Sequence, residues 1–347
     1  MPFNPPWKNS SLPVRIAALS IVWLLLISCL HYALNIYEGK RKVVQFGYMP
    51  VITNLAAPLL DHASRDTNGI RFKSLKFSSF AEMAEALRND HIQAAFIIAP
   101  LSIVLRQQGS DVKVVYIGNR HESTMVARKD LQARSLADLA GKTIAVPMRF
   151  SGHNIGLRRK LALEGLTDSV KIVEMNPPDM ASAMTTGALD AYFVGEPFAA
   201  QTIQSGDASL LLRVEDIWPD FICNVVITKR SLIESDPESI RILVNGAARS
   251  GLWAKSNIDE AAEVASRYWN QPVELIKYAL TEQPDRIIFN KFIPKTDEMQ
   301  EIADLMVKFE LASNNNISGL VYDKFAKEAD LTNVTTLQSI LMPPAGK

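Results

Sequence analysis

The residues best suited to chemistry are Ser151-Gly152-His153-Asn154, which follow the apolar run 142–146 and open an amphipathic segment. A helix start leaves backbone N–H groups unsatisfied and carries the positive end of the helix dipole, so a polar turn there holds negative charge. Gly152 lets backbone approach closely, and Ser151, His153 and Asn154 add donors, the imidazole most strongly when protonated. The same Ser and Asn also suit ordinary capping. Glu196, in Gly195-Glu196-Pro197, ends a strand pattern at 191–194. A carboxylate there can accept a hydrogen bond from a ligand, coordinate a cation or brace its own loop. Tyr48, Met49, Pro50, Thr53 and Asn54 follow a strand pattern at 43–48, and Ala99, Pro100 and Ser102 follow another at 94–98. Open α/β sheets bind ligands at such strand ends. Thr53 or Asn54 at a helix start would repeat the anion-cradle chemistry, or simply cap.

Motifs for catalysis are missing. The chain has no GxSxG, HExxH, CxxC, Walker A or GxGxxG pattern, and histidines 31, 62, 91, 121 and 153 lack metal-ligand spacing. No metal or cofactor is expected. Basic and acidic side chains number 37 each, which gives no electrostatic reason for a nucleic-acid partner. Binding fits this record better than an enzyme.

The elements that must position these residues alternate. Strand patterns at 43–48, 71–77, 94–98 and 112–117 are separated by helical patterns: one that Asn54 can cap, one opened by the capping box Ser79 to Glu82, and one from Leu101 to Gly109. Such a series with short connections predicts an α/β fold, each lobe a mostly parallel sheet flanked by helices. A second series runs from Ser135 through strands at 142–146, 171–174 and 191–194, with helices ending near Gly165 and Gly187. Residues 222–228 bring the chain back. From Asp236-Pro237 onward the pattern is helical, near 236–253, 258–269, 272–280 and 296–309, and should pack on the first lobe. The expected division is 43–126 plus 228–340 for the first lobe and 127–227 for the second. Cys223, among Phe221, Ile222, Val225 and Val226, reads as a buried structural thiol.

Residues 1–28 contain Lys8 and Arg15 but no acid, with an apolar run at 16–27. That is the pattern of a secretory signal. Leu26-Ile27-Ser28-Cys29 resembles a bacterial lipobox, which would make Cys29 the lipidated residue and 29–42 a tether. Apolar character continuing to Tyr37 also suits an uncleaved anchor. Both place the body outside the cytoplasm, tethered to a membrane.

Taken together, GKTIAVP, SGHNIG and VEMNPPDMASAMTTGALDAYFVGEP over 141–197 resemble the second lobe of periplasmic substrate-binding proteins of the nitrate, sulfonate, taurine and bicarbonate class of ABC importers. The likeness extends over about 43–253. It implies a type II two-lobe fold with a hinge, and a monomer that closes over a small-molecule ligand and hands it to a permease and ATPase. It further implies that the SGHN turn and the loop at Glu196 meet ligand. Trp218-Pro219-Asp220-Phe221-Ile222-Cys223 stands where the nitrate and bicarbonate branch tends to be charged, so sulfonates or a neutral organic solute stay open. A sensory module of the same fold, or a cleft enzyme of the pyrimidine-synthesis or menaquinone type, are the alternatives.

Overall fold

The computed structural model describes residues 11–32 and 41–341. Lys8 and residues 33–40 of the expected tether lie outside the described residues. The chain divides into two compact units, Met1–Val43 and Val44–Lys347. In the first, α1 (Leu12–His31) is an apolar helix with no buried residue, and Cys29 is exposed in its last turns. Twenty residues at a helical rise give about 30 Å, the thickness of a bilayer's hydrocarbon core.

The second unit holds two five-stranded sheets. Its first lobe runs β1 (Val43–Tyr48), α2 (Ala56–Ser64), β2 (Arg71–Lys76), α3 (Phe80–Arg88), β3 (Ala94–Ile98), α4 (Ala99–Gln107) and β4 (Val112–Ile117). Short apolar runs bounded by turns made these strands, and β3 and β4 are buried along their whole length, as strands covered on both faces should be. The second lobe runs β5 (Ser123–Arg128), β6 (Thr143–Val146), α5 (Gly152–Leu163), β7 (Lys171–Glu174), α6 (Pro177–Thr185), β8 (Ala191–Gly195), α7 (Phe198–Ser205) and β9 (Ala208–Arg213). Then β10 (Asn224–Lys229) returns, followed by α8 (Arg230–Ser235), α9 (Pro237–Ser256), α10 (Ile258–Trp269), α11 (Val273–Thr281), α12 (Thr296–Lys308) and α13 (Lys324–Lys327).

The sheets are mixed, and the antiparallel member of each is the strand that has just crossed over. The first has the order β2-β1-β3-β10-β4; β1 and β3 are parallel with Phe46 opposite Ala94, while β10 runs against both β3 and β4. The second has the order β7-β6-β8-β5-β9, where β6 pairs in parallel with β7 and β8, and β5 opposes β8 and β9. Ser123 pairs with Gly195 and Val225 with Ile117, so the expected divisions at 126/127 and 227/228 fall inside β5 and β10. Each chain crossing therefore lies just before its strand, at 118–122 and 220–223.

One apolar cluster runs through both lobes, from Met83, Leu105 and Ile117 to Val146, Leu157 and Phe193 by way of Phe221, Ile222 and Cys223. A second joins the other face of the first sheet, Phe46, Phe96 and Val226, to Leu60 of α2, Leu243 and Val244 of α9 and Trp269 of α10. The helical tail thus covers the first lobe, and it also reaches the second: α11 packs on α7, and α12 on both α4 and α5.

Candidate functional site

Ser151 caps α5 as its sequence implies, its hydroxyl accepting from the Asn154 amide at 3.1 Å. The Gly152 and His153 amides have no acceptor among the described residues. Asn154 is committed locally: its Nδ2 donates to the Arg149 carbonyl at 2.7 Å and its Oδ1 accepts from Arg158 Nε at 3.1 Å. His153 is 2% exposed, with its ring edge-on to Phe193 and Phe221 at centroid distances of 5.1 and 5.7 Å. Burial holds its pKa down at about 3, so the ring is neutral rather than the cation that would donate most strongly. Its Nε2 meets Ser123 Oγ at 2.9 Å, and its Nδ1 is buried with no partner among the described residues.

Ser123 leads to a residue that sequence reading passed over. Its hydroxyl donates to Glu122 Oε1 at 3.0 Å, and the Glu196 amide donates to Glu122 Oε2 at 2.9 Å. Glu122 is fully buried just ahead of β5, and desolvation pushes its pKa up to about 7. The Cys223 thiol lies 4.0 Å from His153 Nε2, and burial raises its pKa, so it stays protonated. The only mark of Glu122 in the sequence is a position just before the apolar run 124–127, which singles out no acid. Glu196 is buried and its carboxylate accepts from the Ala200 amide at 2.8 Å, while burial raises its pKa too. It braces the start of α7.

The first-lobe loop reaches this region through backbone. Ile52 N–H donates to the Glu196 carbonyl at 2.7 Å, a direct bond between lobes, and Ala99 N–H donates to the Cys223 carbonyl at 2.9 Å. Asn54 does not cap α2. Its Nδ2 donates to the Met49 carbonyl at 2.9 Å and its Oδ1 accepts from Asn224 Nδ2 at 2.8 Å, because Ile52–Asn54 form a 3-10 turn ahead of the helix. Thr53 donates to the Asn119 carbonyl at 3.1 Å, and Asn119 donates to the Ile52 carbonyl at 2.7 Å while its own Oδ1 has no partner among the described residues. Tyr48 turns the other way, into the core beneath α10. Pro100 sits in the first turn of α4, where its missing N–H costs nothing.

The lobes are shut at this point. A Cβ on Gly152 would stand 2.6 Å from the Phe221 ring, and Trp218 packs on Phe221 at 5.6 Å. The two crossings are pinned together: His121 Nε2 accepts from the Asp220 amide at 3.0 Å, and Arg120 bonds the Asp220 carbonyl and Glu298 of α12. Arg286, after α11, ties to Glu215 at 2.8 Å and to the Ser123 carbonyl at 2.7 Å. A cavity of about 410 Å³ remains between the lobes, bounded by Ser79, Phe80 and Ala81 on one side and Pro147, Met148, Glu174 and Asn176 on the other. A larger one of about 870 Å³, lined by Phe72, Ile242, Phe325 and Ile340, lies within the first lobe and holds none of these groups.

The chain is similar to a nitrate/nitrite binding protein of Synechococcus elongatus, 23% identical over half of this chain and 41% of that protein's length. Its fold matches a ligand-binding component of an ABC-type import system from Staphylococcus aureus, TM-score 0.76 at 19% identity over 84% of this chain and all of that one. It also matches an alkanesulfonate-binding protein from Xanthomonas axonopodis, TM-score 0.69 at 18% identity over 82% and 99%. The two-lobe arrangement of mixed sheets is therefore that of periplasmic binding proteins. Residues 39–268 fit the sequence profile of the NMT1-like family, and the chain belongs to that family.

Proposed function

We propose that this protein is the extracytoplasmic solute-binding component of an ABC importer, and that it takes a small anion at the start of α5. The observation that carries this reading is the set of unfilled groups there: the Gly152 and His153 amides and the His153 Nδ1, all buried between the lobes. Buried polar groups are normally paired, and a helix start with free amides suits negative charge. Similarity to nitrate- and sulfonate-binding proteins supports the same class. Titration calorimetry with nitrate and with methanesulfonate tests it. One saturable site is expected for at least one of them, weakened by His153→Ala on the order of 5- to 150-fold. Neither anion binding at millimolar concentration would refute the anion reading.

The delivery partners would be a permease and an ATPase, and the body would act as a monomer held at the outer face of the cytoplasmic membrane. Cys29, exposed near the end of α1, is the candidate lipid attachment point. Intact mass of the membrane-extracted protein should show residues 1–28 removed and Cys29 acylated. Retention of 1–28 would make α1 a permanent anchor instead.

A further inference from the structure

The chain Glu122–Ser123–His153 can carry its hydrogen bonds in either of two directions, and only one suits an anion. With Glu122 ionised, Ser123 donates to Oε1, so Ser123 Oγ is free to accept from His153 Nε2–H, and Nδ1 is left as a bare lone pair. With Glu122 protonated, its O–H donates to Ser123, Ser123 donates to Nε2, and the ring carries its proton on Nδ1. The Gly152 and His153 amides are donors in both cases. An anion seated on both amides and on Nδ1 would meet three donors in the second arrangement, and two donors and a repelling lone pair in the first.

We propose that Glu122, acting through Ser123, sets whether His153 offers the ligand a donor or an acceptor, so that an anion is bound together with one proton. The inference rests on the anion reading of this site. In the coupled step an N–H bond forms at Nδ1 as the Nε2 proton passes to Ser123 Oγ and the Ser123 proton passes to Glu122 Oε1; the added proton comes from water or from the conjugate acid of the ligand. The ring stays neutral throughout, as its burial demands. Burial already holds Glu122 near neutrality, so the proton costs little there. The other ionisable groups around Glu122 are the Glu196 carboxylate, the Cys223 thiol and the Arg286 guanidinium, and Arg286 is already neutralised by Glu215 at 2.8 Å. Burial therefore outweighs the hydrogen bonds from Cys223 and Ser123 and the shared Arg286, which all favour the ionised carboxylate. Glu122 is a positioning residue for specificity: ionised, it selects ligands that donate; protonated, ligands that accept.

Histidine-labelled protein read by long-range ¹H–¹⁵N NMR tests this without any ligand. In the full-length chain the His153 ring should stay neutral and switch tautomer between pH 5.5 and 8.5, with the proton on Nδ1 at the acid end and on Nε2 at the alkaline end. Glu122→Gln should hold it on Nδ1 throughout, since the Glu196 amide fixes the Gln carbonyl and leaves the amide N–H₂ to donate to Ser123. Ser123→Ala should uncouple the ring from pH, and Glu196→Gln should move the midpoint while keeping the switch. A single tautomer across the range in wild type, or switching that survives in Glu122→Gln, overturns the proposal. With nitrate or methanesulfonate as probe, wild-type affinity should fall about tenfold from pH 6 to pH 8, and that of Glu122→Gln should stay level. A normal tautomer switch with no anion binding would reject the anion reading and leave the relay standing.

Discussion

Glu122 and His153 stand one serine apart and respond to burial in opposite senses. Desolvation raises the carboxyl to about 7 and lowers the imidazole to about 3. The raised acid contributes stability that is full below its unfolded value near 4.5 and is lost as pH rises through about 7. The depressed base contributes stability that is full above its unfolded value near 6.5 and is lost as pH falls toward 3. Between pH 4.5 and 6.5 the two slopes cancel, so these groups together give a plateau there, with losses on both sides. Glu122→Gln removes only the alkaline loss. Its melting temperature relative to wild type should climb between pH 4.5 and 7, by roughly 3 kcal/mol or about 5 °C in all, and level off above. A difference that is flat with pH would mean Glu122 titrates like an exposed carboxyl. His153 was legible because it sits in a short polar turn at a helix start. Glu122 was not, because nothing local distinguishes one acid before an apolar run; its meaning comes from Gly195, set beside it by the pairing of β5 with β8, and from His153 on α5, which meets Ser123.

Gly152 shows how tightly the start of α5 is held. A Cβ there would meet Phe221 Cε2 at 2.6 Å and Cζ at 2.7 Å, and the ring is itself wedged by Trp218 and His153. Gly152→Ala should cost about 1–3 kcal/mol through overpacking. Phe221→Leu in the same chain should recover part of it, because the clashing ring edge is gone. Urea unfolding of both singles and the double measures the coupling, and simple additivity would show the contact is not what requires the glycine. Elements with strong local signals were readable: β3, β4, β7 and α10 keep the expected bounds, and Asp236 accepts from the Ser239 amide at the head of α9. The sequence reading passed over β5, α7 and β9. In β9, Leu210 is exposed and the other leucines are half-buried, a weak alternation for an edge strand, and α7 is only two turns long. Cap residues misled once, at Asn54, where a tertiary partner in Asn224 outweighed the helix end.

At the scale of the molecule, the two-lobe division could be read from periodicity, while its seams could not. Hydrophobic runs locate strands but do not say which sheet receives them, and β5 and β10 each join the sheet on the far side of a crossing. The inter-lobe cluster built on Phe221, Ile222 and Cys223 was equally hidden, since an apolar loop looks the same in sequence whether it fills a lobe or a cleft. The place of β10 has an effect on the order in which the protein can come into being. It separates β3 from the edge strand β4, so β4 has no partner strand in the earliest-made sheet until residues 224–229 have left the ribosome, by which time the whole second lobe has been synthesised. A nascent chain lacking β10 leaves the pairing edges of β3 and β4 open and stays loose, whereas the second sheet, whose strands all lie within 123–213, can close first. The earlier-made lobe therefore waits for the later one: connectivity alone keeps the first sheet incomplete until the second lobe has been made.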